Sequence, residues 1–179
     1  RRQRQMCIRD RLDKAHKQKE LNRYSRKKSR NKLVALVGYT NAGKTTLFNK
    51  LTESNQFAED KLFATLDSVT RKNVNPQHGP ILFSDTVGFI SDLPTQLIES
   101  FKATLDELKS ADLLLHVLDV SDPDYKVKFS EVNKILDDLS LTSIPQIVVN
   151  NKCDLVCCKK LDSLKKRNHS QVFISAENQ

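Results

Sequence analysis

From residue 33 onward, short apolar runs alternate with longer segments in which apolar residues recur at helical spacing. The runs are typical of buried strands, and the spaced segments are typical of helices that bury one face. The pattern predicts strands at 33–37, 69–75, 81–84, 112–120, 144–150 and 172–174, with a turn at 76–80. It predicts helices at 46–51, 94–109 and 124–139, the last with Val127, Val132, Ile135 and Leu139 facing inward. This alternation predicts an α/β fold, a three-layer α/β/α sandwich around a mostly parallel sheet.

Three segments lack this pattern. Residues 1–31 are nearly all polar, and we expect a basic helical arm or linker that ends where a domain at 32–179 begins. Residues 54–68 and 85–93 are predicted to be loops, the first of them mobile. Because this architecture needs one more helix after Ile174 to cover its sheet, we expect the C-terminal helix to be missing.

The net charge of +8 is unevenly distributed. Residues 1–32 hold 14 Lys and Arg against 3 Asp and Glu, whereas residues 33–179 hold 16 against 19. The basic character therefore belongs to the leading segment, which favours a polyanion partner near the N-terminus.

Membrane and metal-binding classes find little support in the composition. No apolar run reaches the roughly 18 residues of a membrane span, and the N-terminus lacks the apolar core of a secretory signal. Cys7, Cys153, Cys157 and Cys158 follow no metal-ligand spacing, which favours free thiols in a reducing compartment. We therefore expect a cytoplasmic protein, and a monomer.

Residues 38–45 have the sequence GYTNAGKT, a GxxxxGK[ST] phosphate-loop pattern between a predicted strand and a predicted helix. Glycines allow successive backbone N–H groups to converge on one anion at a helix N-terminus. Lys44 adds a charge for the terminal phosphates, and the Thr45 hydroxyl suits Mg²⁺. The predicted phosphate-binding residues are Gly38, Tyr39, Thr40, Asn41, Ala42, Gly43, Lys44, Thr45 and Thr46.

A DxxG motif, Asp85-Thr86-Val87-Gly88, follows the predicted strand 81–84. It would place the Asp85 carboxylate near Mg²⁺ through water, and the Gly88 N–H where a γ-phosphate lies. Because the glycine can swing when that phosphate is lost, the loop would act as a switch.

A threonine between the phosphate loop and DxxG usually closes over Mg²⁺ and the γ-phosphate in such proteins. Thr65, which follows Phe63 and Ala64, is the predicted residue, and Thr70 is the alternative. The predicted metal ligands are Thr45, Thr65 and Asp85, and the predicted catalytic residues are Lys44, Thr65 and Gly88.

Guanine recognition is predicted from Asn151, Lys152 and Asp154, an NKxD motif after the strand 144–150. The Asp154 carboxylate can accept from guanine N1–H and the exocyclic amine, a donor pair that adenine lacks. Lys152 would lie along the base with its ammonium on the phosphate loop. Ser175 and Ala176 follow the last strand and fit the short SA motif, whose backbone N–H contacts the guanine carbonyl. The predicted ligands are therefore GTP and GDP.

Phe89 occupies the position at which many GTPases carry a water-orienting Gln. Phenylalanine cannot orient water, so intrinsic hydrolysis is expected to be slow, and Phe89 is expected to turn away and pack against the switch or a partner. The missing group would come from a partner, a backbone carbonyl or a monovalent cation. Resemblance to potassium-activated GTPases, which carry an Asn at this loop position as an ion ligand, implies that Asn41 is a candidate K⁺ ligand; the alternative is that Asn simply tolerates the turn.

Several segments resemble the HflX GTPases, of the Obg–HflX group. The resemblance covers residues 33–155 and rests on segments 37–44, 60–67, 85–90, 92–94, 101–105 and 111–116. It implies GTP-dependent binding to the large ribosomal subunit and its rRNA, and a part in ribosome splitting or rescue. It also implies an N-terminal HflX domain, which residues 1–31 do not match, and some ATP hydrolysis. The competing hypothesis is a nucleotide-gated RNA-tethering module with little intrinsic catalysis.

Overall fold

The computed structural model describes residues 31–53, 69–75, 79–86, 88–89, 108–168 and 170–178. Their strands form one six-stranded sheet in the order β2-β3-β1-β4-β5-β6, in which β2 is antiparallel to β3 and every other pair is parallel. The strands are β1 Lys32–Val37, β2 Val69–Asn75, β3 Gly79–Asp85, β4 Leu113–Asp119, β5 Gln146–Asn151 and β6 Val172–Phe173. The helices are α1 Lys44–Thr52, α2 Tyr125–Asp138 and α3 Cys158–Arg167, with short 3₁₀ helices at Leu108–Ser110 and Cys153–Leu155.

The central strand β1 explains why the sheet is covered on both sides. Five consecutive residues of β1 are buried, as expected for a parallel strand between two helical layers. Val34 and Leu36 pack in one cluster with Leu47 and Phe48 of α1. Ala35 and Val37 point the other way and pack in a second cluster with Val132 and Leu136 of α2. The predicted three-layer α/β fold with a mostly parallel sheet is therefore confirmed.

Two details of the predicted elements were wrong. Val127, predicted to face inward on α2, is 57% exposed, whereas Leu136 is buried. At about 100° per residue Val127 lies roughly 140° around the helix from Val132, on the solvent side. The turn predicted at 76–80 is shorter at its far end, because Gly79 and Pro80 already pair in β3 with Asn75 and Val74.

Helix α3 was not predicted. Its apolar residues are too sparse for a clear period, because Leu161 and Leu164 are surrounded by lysines and polar side chains. The predicted helix 94–109 lies almost wholly outside the described residues, as do the arm at 1–30, the loop at 54–68 and the turn residues 76–78.

Of the cysteines, Cys153, Cys157 and Cys158 are free thiols, and Cys7 lies outside the described residues. No helix in the described ranges has the length and apolar content to cross a bilayer.

Candidate nucleotide-binding site

The candidate site lies along the edge of the sheet where the parallel strands end. The phosphate loop follows β1, the DxxG motif begins at the end of β3, and Asn151 ends β5. Ligands of open α/β sheets bind at this edge, where neighbouring strands lead off in opposite directions. Here β1 lies between β3 and β4, so the phosphate loop starts from such a switch point.

Two glycines give the phosphate loop its path. Gly38 has φ of +148°, and a Cβ added there would lie 2.3 Å from the carbonyl oxygen of Val117 in β4. Gly43 has φ of +87°, and its Cβ would lie 2.3 Å from the Asn151 amide nitrogen. A side chain at either position would therefore collide with the neighbouring strand or with the base-recognition motif. Only glycine lets the loop pass this close to both while turning into α1.

Lys44, the first residue of α1, is buried under this loop with 6% of its surface exposed. Its Nζ donates to the Tyr39 carbonyl at 2.8 Å, so the loop curls around the ammonium. Burial lowers the pKa of Lys44 from 10.5 to about 8, and the nearby Asp85 carboxylate opposes this shift. Among the described residues, Tyr39 accepts the hydrogen bond of Lys44 and Asp85 supplies a nearby opposite charge, and a buried ammonium in this setting is suited to receive an anionic ligand.

Thr45 and Asp85 bring a hydroxyl and a carboxylate together. The Thr45 Oγ1 donates to Asp85 Oδ2 at 2.7 Å, and Asp85 is fully buried at the end of β3. Within the described residues, no group of three or more His, Cys, Asp or Glu side chains is placed to hold a metal ion. Hard oxygen ligands in so small a number fit Mg²⁺, which proteins typically hold by one or two carboxylates together with substrate phosphates.

Gly88 touches the phosphate loop so closely that no side chain fits. A Cβ on Gly88 would lie 2.8 Å from Thr40 Cα and 2.9 Å from the Lys44 Nζ. The next residue continues this contact, because Phe89 N donates to Gly38 O at 3.1 Å and Thr40 N donates to Phe89 O at 2.8 Å. The DxxG segment is therefore joined to the phosphate loop through backbone hydrogen bonds.

The Phe89 side chain points away from this contact. It is 3% exposed and packs in the core cluster with Val37, Leu114 and Leu136. The prediction that Phe89 turns away is confirmed. The prediction that it packs against the switch or a partner falls on residues 90–107, which lie outside the described residues, or on another molecule, and it stays a prediction. The core beneath the loop is large and apolar enough to take the ring, and burying a phenylalanine there is strongly favourable.

Asn151 ties the three motifs together. Its side-chain nitrogen donates to the Ala42 carbonyl at 3.0 Å, and its side-chain oxygen accepts from Ala176 N at 2.9 Å. Asn151 is buried, and one planar amide thus fixes the phosphate loop relative to the predicted Ser175-Ala176 motif. Both bonds span large separations along the chain, so they depend on the complete sheet.

The ammonium of Lys152 does not bond to the phosphate loop, which corrects the expectation drawn from the sequence. It forms an ion pair with Asp119 at the end of β4, with 2.9 Å between Nζ and Oδ2. Asp119 belongs to none of the predicted motifs. A motif search could not have found it, because the contact depends on β4 and β5 being parallel neighbours, with Asp119 opposite Asn151.

A second ion pair lies nearby. Lys128 of α2 pairs with Asp122, and its Nζ lies 4.9 Å from the centroid of the Tyr39 ring. These residues line a cavity of about 290 Å³ between the phosphate loop and α2, and Asp119 lines it as well. His116 lies on the same side of β4, fully buried, and burial together with the charge of Lys44 lowers its pKa to about 4. The imidazole is therefore neutral at physiological pH.

The remaining predicted residues lie in several different elements, and some of them fall outside the described residues. Asp154 is exposed in the 3₁₀ helix after β5, Ser175 is half-buried, and Thr46 lies in the first turn of α1. Thr70, the alternative to Thr65, pairs with Ser84 inside β2 and β3, which holds it in the sheet and not in a loop. The predicted residues Phe63, Ala64, Thr65 and Val87 lie outside the described residues.

Comparison with known proteins agrees with this arrangement. Residues 33–152 match the family model described as a 50S ribosome-binding GTPase. The GTPase HflX of Caldanaerobacter subterraneus subsp. tengcongensis is 48% identical over 96% of this chain and 39% of its own length. The GTPase HflX of Escherichia coli is 42% identical over 95% of this chain and 40% of its own length. This chain thus spans about two fifths of the length of these two relatives.

A solved structure shares the fold. A crystal structure of Era in complex with MgGDPNP and nucleotides 1506–1542 of 16S ribosomal RNA superposes with a TM-score of 0.63. The two are 26% identical, and the match covers 81% of this chain and 51% of that one. With 120 residues inside the family model and the motifs meeting at one sheet edge, the chain belongs to the HflX GTPases, within the 50S ribosome-binding GTPase family.

Proposed function

We propose that this chain is a guanine-nucleotide switch that binds Mg·GTP and hydrolyses it slowly to GDP and phosphate. The observation that carries the proposal is the way the motifs meet. Asn151 bonds to both Ala42 and Ala176, and Gly88 lies against Lys44. A phosphate-binding loop, a γ-phosphate sensor and a base-recognition segment are thereby held as one unit.

Binding would depend on Lys44 and on the loop amides, which would neutralise the phosphate charge. Thr45 and Asp85 would hold Mg²⁺, which when bound neutralises charge that develops on the phosphates during hydrolysis. Asp154 would select guanine over adenine. Phe63, Ala64 and Thr65 are proposed to complete the site, with Thr65 on Mg²⁺ and the γ-phosphate.

The response to hydrolysis would begin at Gly88. Gly88 lies directly against Thr40 and the Lys44 ammonium. Because Gly88 has no side chain, its backbone can approach whatever Lys44 binds. Loss of the γ-phosphate would remove a partner from this backbone and release the segment that follows. Turnover would be slow, since the Phe89 side chain lies in the core and offers nothing to orient the attacking water.

We also propose that the protein binds the large ribosomal subunit in its GTP state and takes part in splitting or rescuing ribosomes. The family description and the HflX relatives support this proposal, and the basic segment 1–31 is the proposed rRNA contact. A cytoplasmic monomer is proposed as the working form.

Co-sedimentation with purified large subunits tests the ribosomal part. With a non-hydrolysable GTP analogue the chain should pellet with the subunit, and with GDP it should stay in the supernatant. Equal pelleting in both states would contradict the proposed GTP-dependent binding. The competing hypothesis, a nucleotide-gated RNA-tethering module, predicts the same dependence on nucleotide but little hydrolysis.

Single-turnover hydrolysis tests the enzymatic part. An intrinsic rate on the order of 10⁻⁴ per second is expected for a GTPase without its stimulating partner. Large subunits should raise that rate. A rate that is zero with and without subunits would contradict the proposal that this chain is an enzyme.

A further inference from the structure

Asp119 is a partly buried carboxylate at the edge of the sheet that holds the candidate site, and it belongs to none of the predicted motifs. It ends β4, and its two oxygens have different partners. Oδ1 accepts from the backbone N of Ser121 at 2.9 Å and from its hydroxyl, while Oδ2 faces the ammonium of Lys152 at 2.9 Å. The Ser121 bonds fix the orientation of the carboxylate, so that its second oxygen is presented to Lys152.

Lys152 is a residue that needs such support. Its backbone has φ of +59° and ψ of +37°, the left-handed conformation that residues other than glycine rarely adopt. Such a conformation is strained, and it persists only where the surrounding structure enforces it. The neighbouring backbone is held by Cys153 N to Ile174 O and by Leu155 N to Lys152 O, both at 3.1 Å. The side chain is held by Asp119.

The ion pair between Lys152 and Asp119 is partly shielded from solvent. The Lys152 side chain is 26% exposed and the Asp119 side chain is 20% exposed. An ion pair in this setting lies between an exposed pair, which contributes little, and a fully buried pair, whose disruption is strongly unfavourable. Removing the charge of Asp119 would leave a half-buried ammonium without its carboxylate.

We infer that Asp119 is a positioning residue of the guanine site, one that holds Lys152 in place so that its stem can lie along the base. This inference rests on the proposed function. The Asp119 carboxylate is bonded to Ser121 and Lys152, so it acts on the nucleotide through Lys152. Loss of the Asp119 carboxylate therefore weakens binding of the base and leaves binding of the phosphates unchanged.

Asp119→Asn is the informative variant, because the amide oxygen can still accept from Ser121 while the charge is lost. GDP affinity should fall about tenfold, mostly through faster release. Inorganic tripolyphosphate, which has phosphates but no base, should bind as it does to the wild type. Discrimination between guanine and xanthine nucleotides should also be unchanged, because that choice belongs to Asp154.

Asp112→Asn is the matched control. It makes the same carboxylate-to-amide change in an ion pair with Lys32, at the opposite edge of the sheet where β1 and β4 begin, and its amide oxygen can still accept from Leu33 N. Its GDP affinity should stay within about twofold of the wild type. In a double-mutant cycle, the Lys152→Met, Asp119→Asn double variant should bind GDP as tightly as Lys152→Met alone, because both substitutions remove the same ion pair.

Two results would overturn the inference while leaving the proposed function standing. The first is that the wild type prefers GDP over ADP while the Asp119→Asn variant binds GDP as tightly as the wild type does. The second is a variant that loses GDP and tripolyphosphate affinity to the same extent, which would mean a general disturbance of the domain. A wild type without preference for GDP over ADP would instead contradict the proposed function itself.

Discussion

Replacing Lys44 with methionine should stabilise the nucleotide-free protein while abolishing its nucleotide binding. Methionine keeps the length and apolar character of the lysine stem but removes the charge. The folded protein lowers the pKa of Lys44 from 10.5 to about 8, mainly through burial, and this means that folding works against the protonated amine. The site is thus prepared for phosphate at the expense of stability.

The magnitude follows from linkage. A Lys44 pKa lowered from 10.5 to about 8 corresponds to about 3 kcal/mol of destabilisation at pH 7. Lys44 is only 6% exposed, so solvent does not screen this effect. The hydrogen bond to the Tyr39 carbonyl is lost in the variant and offsets about 1 kcal/mol. A net gain of about 2 kcal/mol remains, which should raise the midpoint of thermal unfolding by about 4–8 °C.

The pH dependence gives the sign of the effect. Since the folded pKa of Lys44 is the lower one, the destabilisation is present in full below about pH 8 and is relieved as pH rises from 8 toward 10.5. The stability gap between variant and wild type should therefore shrink to below about 1 kcal/mol by pH 10. Urea unfolding at pH 7 and pH 10 in EDTA measures it.

Two controls complete this experiment. Lys50→Met lies on the exposed side of the same helix and should leave stability unchanged. With saturating Mg·GTP the order should reverse, because nucleotide stabilises only the protein that binds it. A Lys44→Met variant less stable than wild type at pH 7, or a stability gap that does not change with pH, would refute the reasoning.

Four further predictions follow from the site. GDP affinity of the wild type should fall about tenfold from pH 7 to pH 9, because phosphate binding needs the protonated Lys44, whose pKa is about 8; isothermal titration checks this, and a flat profile would contradict it. Gly88→Ala should slow single-turnover GTP hydrolysis at least tenfold while GDP still binds, since its Cβ would lie 2.9 Å from the Lys44 Nζ; wild-type turnover would show that the backbone does not approach the γ-phosphate. Phe89→Ala should lower the free energy of unfolding by about 3–5 kcal/mol, as expected for a phenylalanine removed from a core, and an effect on subunit-stimulated turnover alone would contradict its core position. If Asn41 holds K⁺, replacing Na⁺ by K⁺ should speed intrinsic hydrolysis, and Asn41→Ala should abolish the difference; equal rates in both salts would leave its φ of +60° as the reason for asparagine there.

The sequence predicted the fold well because its signals are local. The runs 33–37 and 112–120 are apolar enough to specify buried strands, and the glycines of the phosphate loop occur where the loop must pass close to Val117 and Asn151. Helix α3 escaped prediction because few apolar residues mark its inner face. Val127 was misplaced because its angular position on α2, not its hydrophobicity, determines its exposure.

The candidate site was predictable in its motifs but not in its connections. The type and spacing of Lys44, Asp85 and Asn151 are enough to indicate nucleotide chemistry. The ion pair between Lys152 and Asp119 depends on the register of β4 against β5, which no local pattern encodes. The core position of Phe89 likewise depends on the backbone bonds that join it to Gly38.

Competition binding with guanine, adenine and xanthine nucleotides tests the central claim most directly. The wild type should bind GDP far more tightly than ADP or XDP. Asp154→Asn should lose GDP affinity and gain affinity for XDP, whose base presents an acceptor where guanine has an amine. Asp154 is exposed, so the substitution should not disturb folding. Unchanged GDP affinity in Asp154→Asn, or equal binding of GDP and ADP by the wild type, would contradict the account of a guanine-nucleotide switch.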